Sequence, residues 1–357
     1  MEYGLITIHS TQNFGSLLQT FSTISAIRSL GISITLIDYH NEKIDERETA
    51  IFSGNKKSLK DVIKKILWGK DQKRKYYSIN NFLKENTVMT NKSYTVDTIQ
   101  EVNSKFDGFI TGSDIVWGTK ITGEDMSYFL DFADSSKKKL AFSSSIGSKW
   151  NQEEMEKIKP LLERYDSISV REELASEWIK EVIGKKTEVT CDPTMLWDAS
   201  YWRKFVEPEY APKEKYVLIY AVNPDKRNIY DGIKYAKEHK MKAYFVNFYG
   251  PIKGTKTIRP ITVQQWITLF ANAEIVFSAS YHGLLFSLYF QKNVFFYNRG
   301  EKSRMISLAK ELNIEHREGT EENLRNNKLI DYEFVDKKMR EKRNESWTYL
   351  KNIFKEE

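Results

Sequence analysis

The chain has 357 residues, which exceeds the usual size of a single hydrophobic core, so we expect two domains. Its 55 Lys and Arg residues against 49 Asp and Glu residues leave a formal net charge of +6. This mild basic excess suits an anionic small molecule or an anionic membrane surface, and it is too weak to indicate nucleic-acid binding. The one cysteine, Cys191, excludes an internal disulfide framework and a thiolate metal cluster.

The sequence predicts neither export nor a membrane span. The apolar stretch at its start is too short and too polar for a signal peptide. No run reaches the roughly 18 apolar residues that a spanning helix needs. We therefore expect a soluble, cytoplasmic protein. Peripheral contact with the inner face of the cell membrane is left open.

Elements that alternate between strand and helix open the chain. Residues 5–8 are typical of a strand, and a loop over 11–16 follows. A helix is predicted over 17–30, because apolar residues recur at helical spacing, and Gly31 suits the position after its end. Residues 34–38 are the next predicted strand. Such a strand–helix–strand unit predicts a parallel sheet.

Residues 41–100 interrupt this alternation. The segment 58–68 carries apolar residues at helical spacing with lysines opposite, and the basic run 69–75 follows. A basic amphipathic helix either lies on a membrane or covers the sheet. We favour an insertion over about residues 50–90 that packs on the domain and exposes its lysines.

The remaining elements form two series that are separated by a linker containing Pro208 and Pro212. Further strands are predicted at 106–110, 140–147, 167–170, 216–222, 243–246, 274–277 and 293–297. Two open α/β domains that face each other place a cleft at the carboxyl edges of their strands. We therefore expect the functional site in that cleft.

The segment 278–283 is the strongest candidate for a site. A buried strand ends in small polar residues, and a buried helix is predicted over 284–290, so free backbone N–H groups can bind an anion there. His282 lies at this edge, and an imidazole is the side chain most often used for proton transfer. Ser278 and Ser280 either donate to a phosphate or cap the helix.

Charged and polar residues near other strand ends complete the set of candidates. Arg171 ends a strand and can bind a carboxylate or phosphate, unless it pairs with Glu172. Asp114 is either the acceptor of a hydroxyl proton or a turn residue that bonds nearby amides. Asn13 is placed to contact an acceptor, whereas Gly15 is expected to serve backbone geometry. Arg299 and Arg304 bind substrate or are solvated; these two residues follow the last strand.

Four blocks in this order resemble the polysaccharide pyruvyl transferase family. The blocks are residues 13–19 (NFGSLLQ), residues 112–117 (GSDIVW), residues 168–172 (ISVRE) with 192–194 (DPT), and residues 280–287 (SYHGLLFS). The resemblance implies a GT-B-like α/β fold of two Rossmann-type domains with mostly parallel sheets facing a central cleft. It places the N-terminal domain at 1–205, the C-terminal domain at 206–331, and a helix at 332–357 that packs back on the first domain.

The resemblance also implies an activity. Phosphoenolpyruvate is the expected co-substrate, and its pyruvyl group is transferred to a sugar of a capsular or other cell-surface polysaccharide precursor, either lipid-linked or nucleotide-linked. No metal-ligand cluster or dinucleotide fingerprint is present, so neither metal nor cofactor is expected. Residue patterns and resemblance together select two catalytic and ten substrate-binding residues: His282 and Asp114, and Asn13, Gly15, Ser113, Arg171, Ser278, Ser280, Tyr281, Gly283, Arg299 and Arg304.

The sequence departs from the family pattern at a few positions. Ala279 stands where relatives carry Asp, and Ile115 stands where most carry Gln. Such changes predict a different substrate or a weakened enzyme. Two alternatives therefore stay open, a GT-B glycosyltransferase that uses a nucleotide sugar and a non-catalytic scaffold of glycan assembly.

Overall fold

Two parallel β-sheets, each flanked by helices, form the frame of the protein. A computed structural model describes residues 1–53, 59–222, 226–298 and 304–355, with side chains described from residue 62 onward in the helix that begins at 59. The six strands of the first sheet pair in the order β2-β1-β3-β4-β5-β6. They are β1 (Glu2–Ile6), β2 (Ser33–Leu36), β3 (Gly108–Thr111), β4 (Lys138–Ser144), β5 (Ser167–Val170) and β6 (Glu188–Val189).

The second sheet has five strands in the order β11-β10-β7-β8-β9. They are β7 (Tyr216–Ala221), β8 (Lys242–Val246), β9 (Lys256–Ile258), β10 (Ile275–Ala279) and β11 (Asn293–Phe296). Every neighbouring pair in both sheets is parallel, as the alternation of strands and helices predicts. The sequence pattern missed β9, because a three-residue edge strand contains no apolar run.

Helices connect the strands and cover the sheets. The α-helices are α1 (Phe14–Ser29), α2 (Glu42–Thr49), α3 (Leu59–Asn86), α4 (Thr119–Thr122), α5 (Gln152–Leu162), α6 (Glu173–Ile183), α7 (Ala199–Arg203), α8 (Lys226–Glu238), α9 (Val263–Asn272), α10 (Tyr281–Tyr289), α11 (Arg304–Glu311), α12 (Glu321–Asn326) and α13 (Tyr332–Ile353). Short 3₁₀ helices lie at Ile99–Ser104, Met126–Phe129, Pro193–Leu196, Pro208–Tyr210 and Glu315–Arg317. The bounds of β5 and α9 match the sequence predictions.

Helix α3 differs from its prediction in length and in packing. It runs through the basic segment to Asn86, and its C-terminal half buries Ile79, Phe82 and Leu83 in the core shared with α1. Its first two turns instead expose apolar side chains such as Ile66. The prediction of an insertion that packs on the domain therefore fits only the second half of this helix.

Helix α13 lies on the first sheet's side of the molecule, although it follows the second sheet in the chain. Arg343 Nε donates to Met195 O at 2.7 Å, and Tyr349 Oη donates to Ala141 O at 3.0 Å. The backbone N–H of Cys191 donates to Ser346 Oγ at 2.8 Å. The bonds to Met195 and Cys191 hold the connection after β6 in place, and the bond to Ala141 ties α13 to β4. None of the helices in the described ranges is both long and apolar enough to cross a membrane.

Candidate active site

A cavity of about 640 Å³ lies between the carboxyl ends of the two sheets. The turn before α1 contributes Asn13, and the segment after β3 contributes Asp114. Tyr220 from β7 lines the opposite wall, while Lys75 from α3 and Arg304 from α11 add positive charge. The cavity therefore lies where parallel α/β sheets commonly bind ligands.

His282 lies in the first turn of α10 and is 6% exposed. This helix begins at Tyr281, three residues earlier than predicted, because Ser280 caps it: Ser280 Oγ accepts the Gly283 N–H at 3.4 Å. The Nε2 atom of His282 lies 3.2 Å from Asp192 Oδ2. The imidazole is thus held beside a carboxylate from the first half of the chain.

Asp192 is the centre of this arrangement. Its Oδ1 accepts the Thr194 N–H at 3.0 Å and the Thr194 hydroxyl at 2.6 Å, and its Oδ2 accepts from Arg171 Nη1 at 2.6 Å. Burial opposes ionisation, but His282, Arg171 and Thr194 together hold the pKa of Asp192 well below its usual range. The side chain is therefore a buried carboxylate.

Sequence reasoning missed the role of Asp192. Residues 192–194 belong to one of the four motif blocks, but Asp192 is not among the selected site residues. No local pattern indicates that residues 192 and 282 meet, because they are 90 positions apart in the chain. The motif itself was the one signal that could have identified this carboxylate.

Arg171 is buried among three carboxylates. Besides Asp192, its Nε donates to Glu172 Oε1 at 3.3 Å, and its Nη2 lies 3.7 Å from Asp114 Oδ1. Burial by itself would lower the pKa of Arg171, but these carboxylates raise it, so the guanidinium stays charged. Its Nη2 has no hydrogen-bond partner within the described ranges. Arg171 therefore pairs with Glu172, as one of the two sequence-based alternatives had it, and at the same time lies close to Asp114.

Asp114 lines the cavity and also shapes its own turn. Its φ is +69°, and its Oδ1 accepts the N–H of Ile115 at 2.9 Å. Burial opposes ionisation, but Arg171, Arg304 and a bond from Ser16 lower the pKa of Asp114 below its ordinary value. The group is therefore a carboxylate at neutral pH, which suits it to accept a proton or a hydrogen bond rather than to act as an acid.

Arg304 and Tyr281 line a second, smaller cavity of about 280 Å³, together with Arg171, Glu172 and Asp192 of this cluster. The guanidinium carbons of Arg304 and Arg171 lie 5.2 and 5.5 Å from the centroid of the Tyr281 ring. Arg304 Nε is 3.8 Å from Glu172 Oε1. Arg304 also lines the larger cavity, so it borders both spaces. Arg299, another predicted cation, lies outside the described residues.

Two of the predicted residues, Ser113 and Ser278, use their hydroxyls within the protein, and a third, Gly283, serves close packing. Ser113 is fully buried and donates its hydroxyl to Ser143 O at 2.7 Å. Ser278 donates its hydroxyl to Ser280 O at 3.1 Å and accepts the Ser280 N–H at 3.2 Å. Gly283 gives α10 its close contact with β10, because a Cβ there would lie 2.2 Å from Ser278 Oγ. None of these three residues lines the large cavity, and neither do Arg171, Ser280, Tyr281 and His282, which lie behind its wall.

Gly15 is required for space rather than for backbone geometry. Its φ is not positive, and it lies in the first turn of α1, where its N–H donates to Asn13 Oδ1 at 3.0 Å. A Cβ at this position would lie 2.2 Å from both Cγ and Nδ1 of His282. The imidazole therefore lies against the backbone of Gly15, whose neighbours Phe14 and Ser16 line the large cavity.

Lys75 is a second site residue that sequence reasoning missed. We assigned the basic run 69–75 to a solvated face, but the Lys75 ammonium lies 4.5 Å from the ring centroid of Phe248 and 5.0 Å from that of Phe14. Burial lowers the pKa of Lys75 to about 8, although the charge of Glu48 opposes this shift. Helical spacing contained the signal, because Lys75 lies on the same face as the buried Ile79.

Among the described residues, no group of three or more His, Cys, Asp or Glu side chains is arranged to hold a metal ion. The candidate site consists of a histidine, two arginines and a lysine together with the carboxylates of Asp114, Glu172 and Asp192. Such a set can bind an anionic substrate, move a proton and accept a hydroxyl hydrogen bond.

The two parallel sheets and the cavity between their carboxyl ends define an α/β protein of the GT-B-like fold class. Similar solved structures include UDP-GlcNAc 2-epimerase from Neisseria meningitidis bound to UDP-GlcNAc, with a TM-score of 0.54, 12% identity and 99% of each chain covered. Another is a Listeria monocytogenes protein assigned as a UDP-N-acetylglucosamine 2-epimerase, with a TM-score of 0.54 and 11% identity over 97% of this chain and 89% of that chain. At these identities the likeness shows the fold alone, and it confirms the predicted GT-B-like fold.

The sequence model of the family described as polysaccharide pyruvyl transferase matches residues 13–301. The chain therefore belongs to the polysaccharide pyruvyl transferase family, as the four motif blocks predicted, and the protein is a transferase. A comparison with curated protein sequences gave no match.

Proposed function

We propose that the protein transfers the pyruvyl group of phosphoenolpyruvate to two hydroxyls of a saccharide, forming a cyclic ketal. The observation that carries this proposal is the His282–Asp192 pair, held beside Arg171 where the carboxyl edges of both sheets meet. Family membership supports the reaction type. The saccharide is a precursor of a capsular polysaccharide, an exopolysaccharide or another cell-surface polysaccharide, made in the cytoplasm.

The chemistry needs an acid, an anion site and a proton acceptor. Protonation of the methylene carbon of phosphoenolpyruvate converts it to a methyl group and makes C2 electrophilic. Two sugar hydroxyls then form C–O bonds to C2, and the bond from C2 to the phosphate oxygen breaks. The two hydroxyl protons balance the one taken up by the methylene carbon and the one that leaves with phosphate. Neither a metal nor a further cofactor is required.

Each role suits a described side chain. His282 supplies the proton, while Asp192 orients its ring and stabilises the imidazolium, in the manner of other His–carboxylate pairs. Asp114 accepts from the attacking hydroxyl, since it is ionised and lines the cavity. Arg304 and Lys75 attract the carboxylate and phosphate of the co-substrate. Ile115 gives the cavity wall an apolar side chain and thereby favours a different acceptor from that of relatives with Gln there.

Incubation with phosphoenolpyruvate and a panel of lipid-linked and nucleotide-linked glycan precursors tests the proposal. We expect release of phosphate together with the added mass of a pyruvate ketal on one precursor. Thermal unfolding with phosphoenolpyruvate or with nucleoside diphosphates separates this activity from a glycosyltransferase. Stabilisation by nucleoside diphosphates alone, with no ketal on any precursor, would overturn the proposal.

Substitution of Gly15 by Ala is expected to lower kcat by about 10²-fold, because the added Cβ displaces the His282 ring. Steady-state kinetics and thermal unfolding of the variant provide the measurement. Gly31→Ala is the matched control at the other end of α1: Gly31 has a φ of +80° and no atom within 4 Å of an added Cβ. This control costs about 1 kcal/mol of stability and leaves kcat unchanged. Equal kcat values for the two variants would contradict the placement of His282.

Substitution of Lys75 by Met is expected to raise KM for phosphoenolpyruvate about tenfold at pH 7, because one charge-assisted contact is lost. The wild-type ammonium is charged below its pKa of about 8 and neutral above it, so wild-type kcat/KM should fall as pH rises through 8. The Lys75→Met profile should lack this fall. Lys84→Met, at an exposed position near the end of α3, is the control and should behave as wild type. If kcat/KM of the Lys75→Met variant still falls as pH rises through 8, a group other than Lys75 causes that fall.

A further inference from the structure

The first two turns of α3 present an exposed apolar face to solvent. It consists of Val62, Ile63, Ile66 and Leu67, whose spacing places them on one side of the helix. Ile66 is 74% exposed and Leu67 is 60% exposed. Adjacent large apolar residues at such exposure mark an interaction surface rather than the scattered apolar residues of an ordinary surface. We call these four residues the apolar face of α3.

The same side of the helix becomes basic in the next turns. Lys70, Lys73 and Arg74 follow the apolar face at spacings of four and seven residues, and all three are exposed. Between residues 62 and 77 the chain has one acidic residue, Asp71, whose carboxylate lies 3.6 Å from Arg259 Nε. The outer side of α3 is therefore apolar at one end and positively charged at the other.

The inner side of α3 is already covered by the protein. Trp68 packs edge-to-face on Tyr249, with ring centroids 5.8 Å apart, and Gln72 and Ile79 are buried. The helix therefore packs against the rest of the protein through its inner side. The apolar face lies on the outer side and is not needed for that packing.

We propose that the outer side of α3 docks on an anionic membrane surface. The apolar face enters the boundary between headgroups and acyl chains, and Lys70, Lys73 and Arg74 bind lipid phosphates. Charge complementarity selects this occupant, since a helix with an apolar stripe beside clustered cations binds anionic bilayers. A second copy of the chain, with the same cations on its own helix, would be repelled.

The position of this surface also indicates which kind of saccharide acceptor the protein uses. This second inference rests on the proposed function. Lys75 lines the large cavity from the inner side of α3, eight residues beyond Leu67, which is about 12 Å along the helix axis. A membrane under the outer side of α3 would bring a lipid-linked saccharide close to the cavity. We therefore infer that the acceptor is lipid-linked rather than nucleotide-linked.

Flotation of the full chain with vesicles tests the docking surface without any assay of activity. The vesicles are phosphatidylcholine with or without one third phosphatidylglycerol. We expect flotation with the anionic vesicles only, and loss of it at high salt. The double variant Ile66→Glu, Leu67→Glu should bind at least tenfold more weakly. Replacement of Lys70 or Lys73 by Gln should weaken binding about fivefold for each lysine.

Leu329→Glu is the matched control, because Leu329 is 66% exposed and distant from α3 in the chain. This variant should float as wild type does, and all variants should unfold at similar temperatures, since exposed positions tolerate substitution. Failure of the wild type to float with anionic vesicles would overturn the proposal, as would full flotation of the double variant. Self-association by light scattering that the double variant abolishes would instead assign the face to a contact between copies.

Activity assays separate this inference from the proposed function. The double variant should lose turnover of a vesicle-embedded lipid-linked acceptor and keep turnover of a short soluble analogue. If the double variant folds normally but loses turnover of both acceptors, the proposed role of the surface is overturned. If the wild type turns over neither acceptor, the proposed function is contradicted, and the flotation result still tests the docking surface.

Discussion

Substitution of His282 by Asn is expected to lower kcat for ketal formation by about 10²–10⁴-fold, the usual contribution of a general acid. The reason is its position: its Nε2 lies 3.2 Å from the buried carboxylate of Asp192, and its ring lies against Gly15 beside the cavity. Asn has a similar polarity but cannot carry the proton. Rates of phosphate release and ketal formation under saturating phosphoenolpyruvate provide the measurement.

The fold should survive this substitution, because Arg171 and Thr194 continue to bind Asp192. His239→Asn is a suitable control, since His239 is exposed at the end of α8 and distant from the cavity. It should retain wild-type kcat. A His282→Asn variant with more than a tenth of wild-type activity would remove this histidine from the chemistry. Full biological activity of that variant would favour the scaffold alternative.

Substitution of Asp192 by Asn should reduce both stability and activity. Removal of one partner from a buried charge cluster typically costs 3–5 kcal/mol, and we expect about 3 kcal/mol because Glu172 and Asp114 remain near Arg171. Ketal formation should fall as well, since His282 loses the carboxylate that orients it. Urea unfolding at several pH values and steady-state kinetics measure the two effects.

The stability difference should depend on pH with a defined sign. Since the pKa of Asp192 is lowered in the folded state, its contribution is fully present above the unfolded pKa of about 3.9 and declines as pH falls below that value. The gap between wild type and Asp192→Asn should therefore narrow in acid. Asp97→Asn, at an exposed turn position, is the control and should stay within about 0.5 kcal/mol of wild type. A gap that widens in acid would contradict the ionised state.

Local elements were predictable because their signals lie within a few residues of each other. Asn151 caps α5 in a capping box with Glu154, and Gly184 ends α6 with a φ of +73°; Asn and Gly are residue types favoured at these two positions. The parallel sheets followed from the alternation of strands and helices. The early start of α10 was not predicted, because the apolar run suggested a later beginning than the Ser280 cap sets.

Side-chain exposure on α3 was less predictable than its existence. Apolar spacing indicated a helix over 58–68, and the same spacing normally indicates a buried face. The structure buries Ile79 and Leu83 further along and leaves Ile66 and Leu67 exposed. Periodicity specifies which residues share a face, but neighbouring elements decide whether anything covers that face.

The sequence by itself determined the family and the two-sheet architecture, and it selected the segment around His282 as the candidate site. Only the tertiary structure decided the partners of that histidine: Gly15 gives it room, Asp192 binds beside it, and Arg171 connects this pair to Asp114. These residues come from turns after different strands, which parallel pairing brings to one edge of the sheets. Because that convergence depends on long-range strand order and register, no pattern within a short stretch of chain can reveal it.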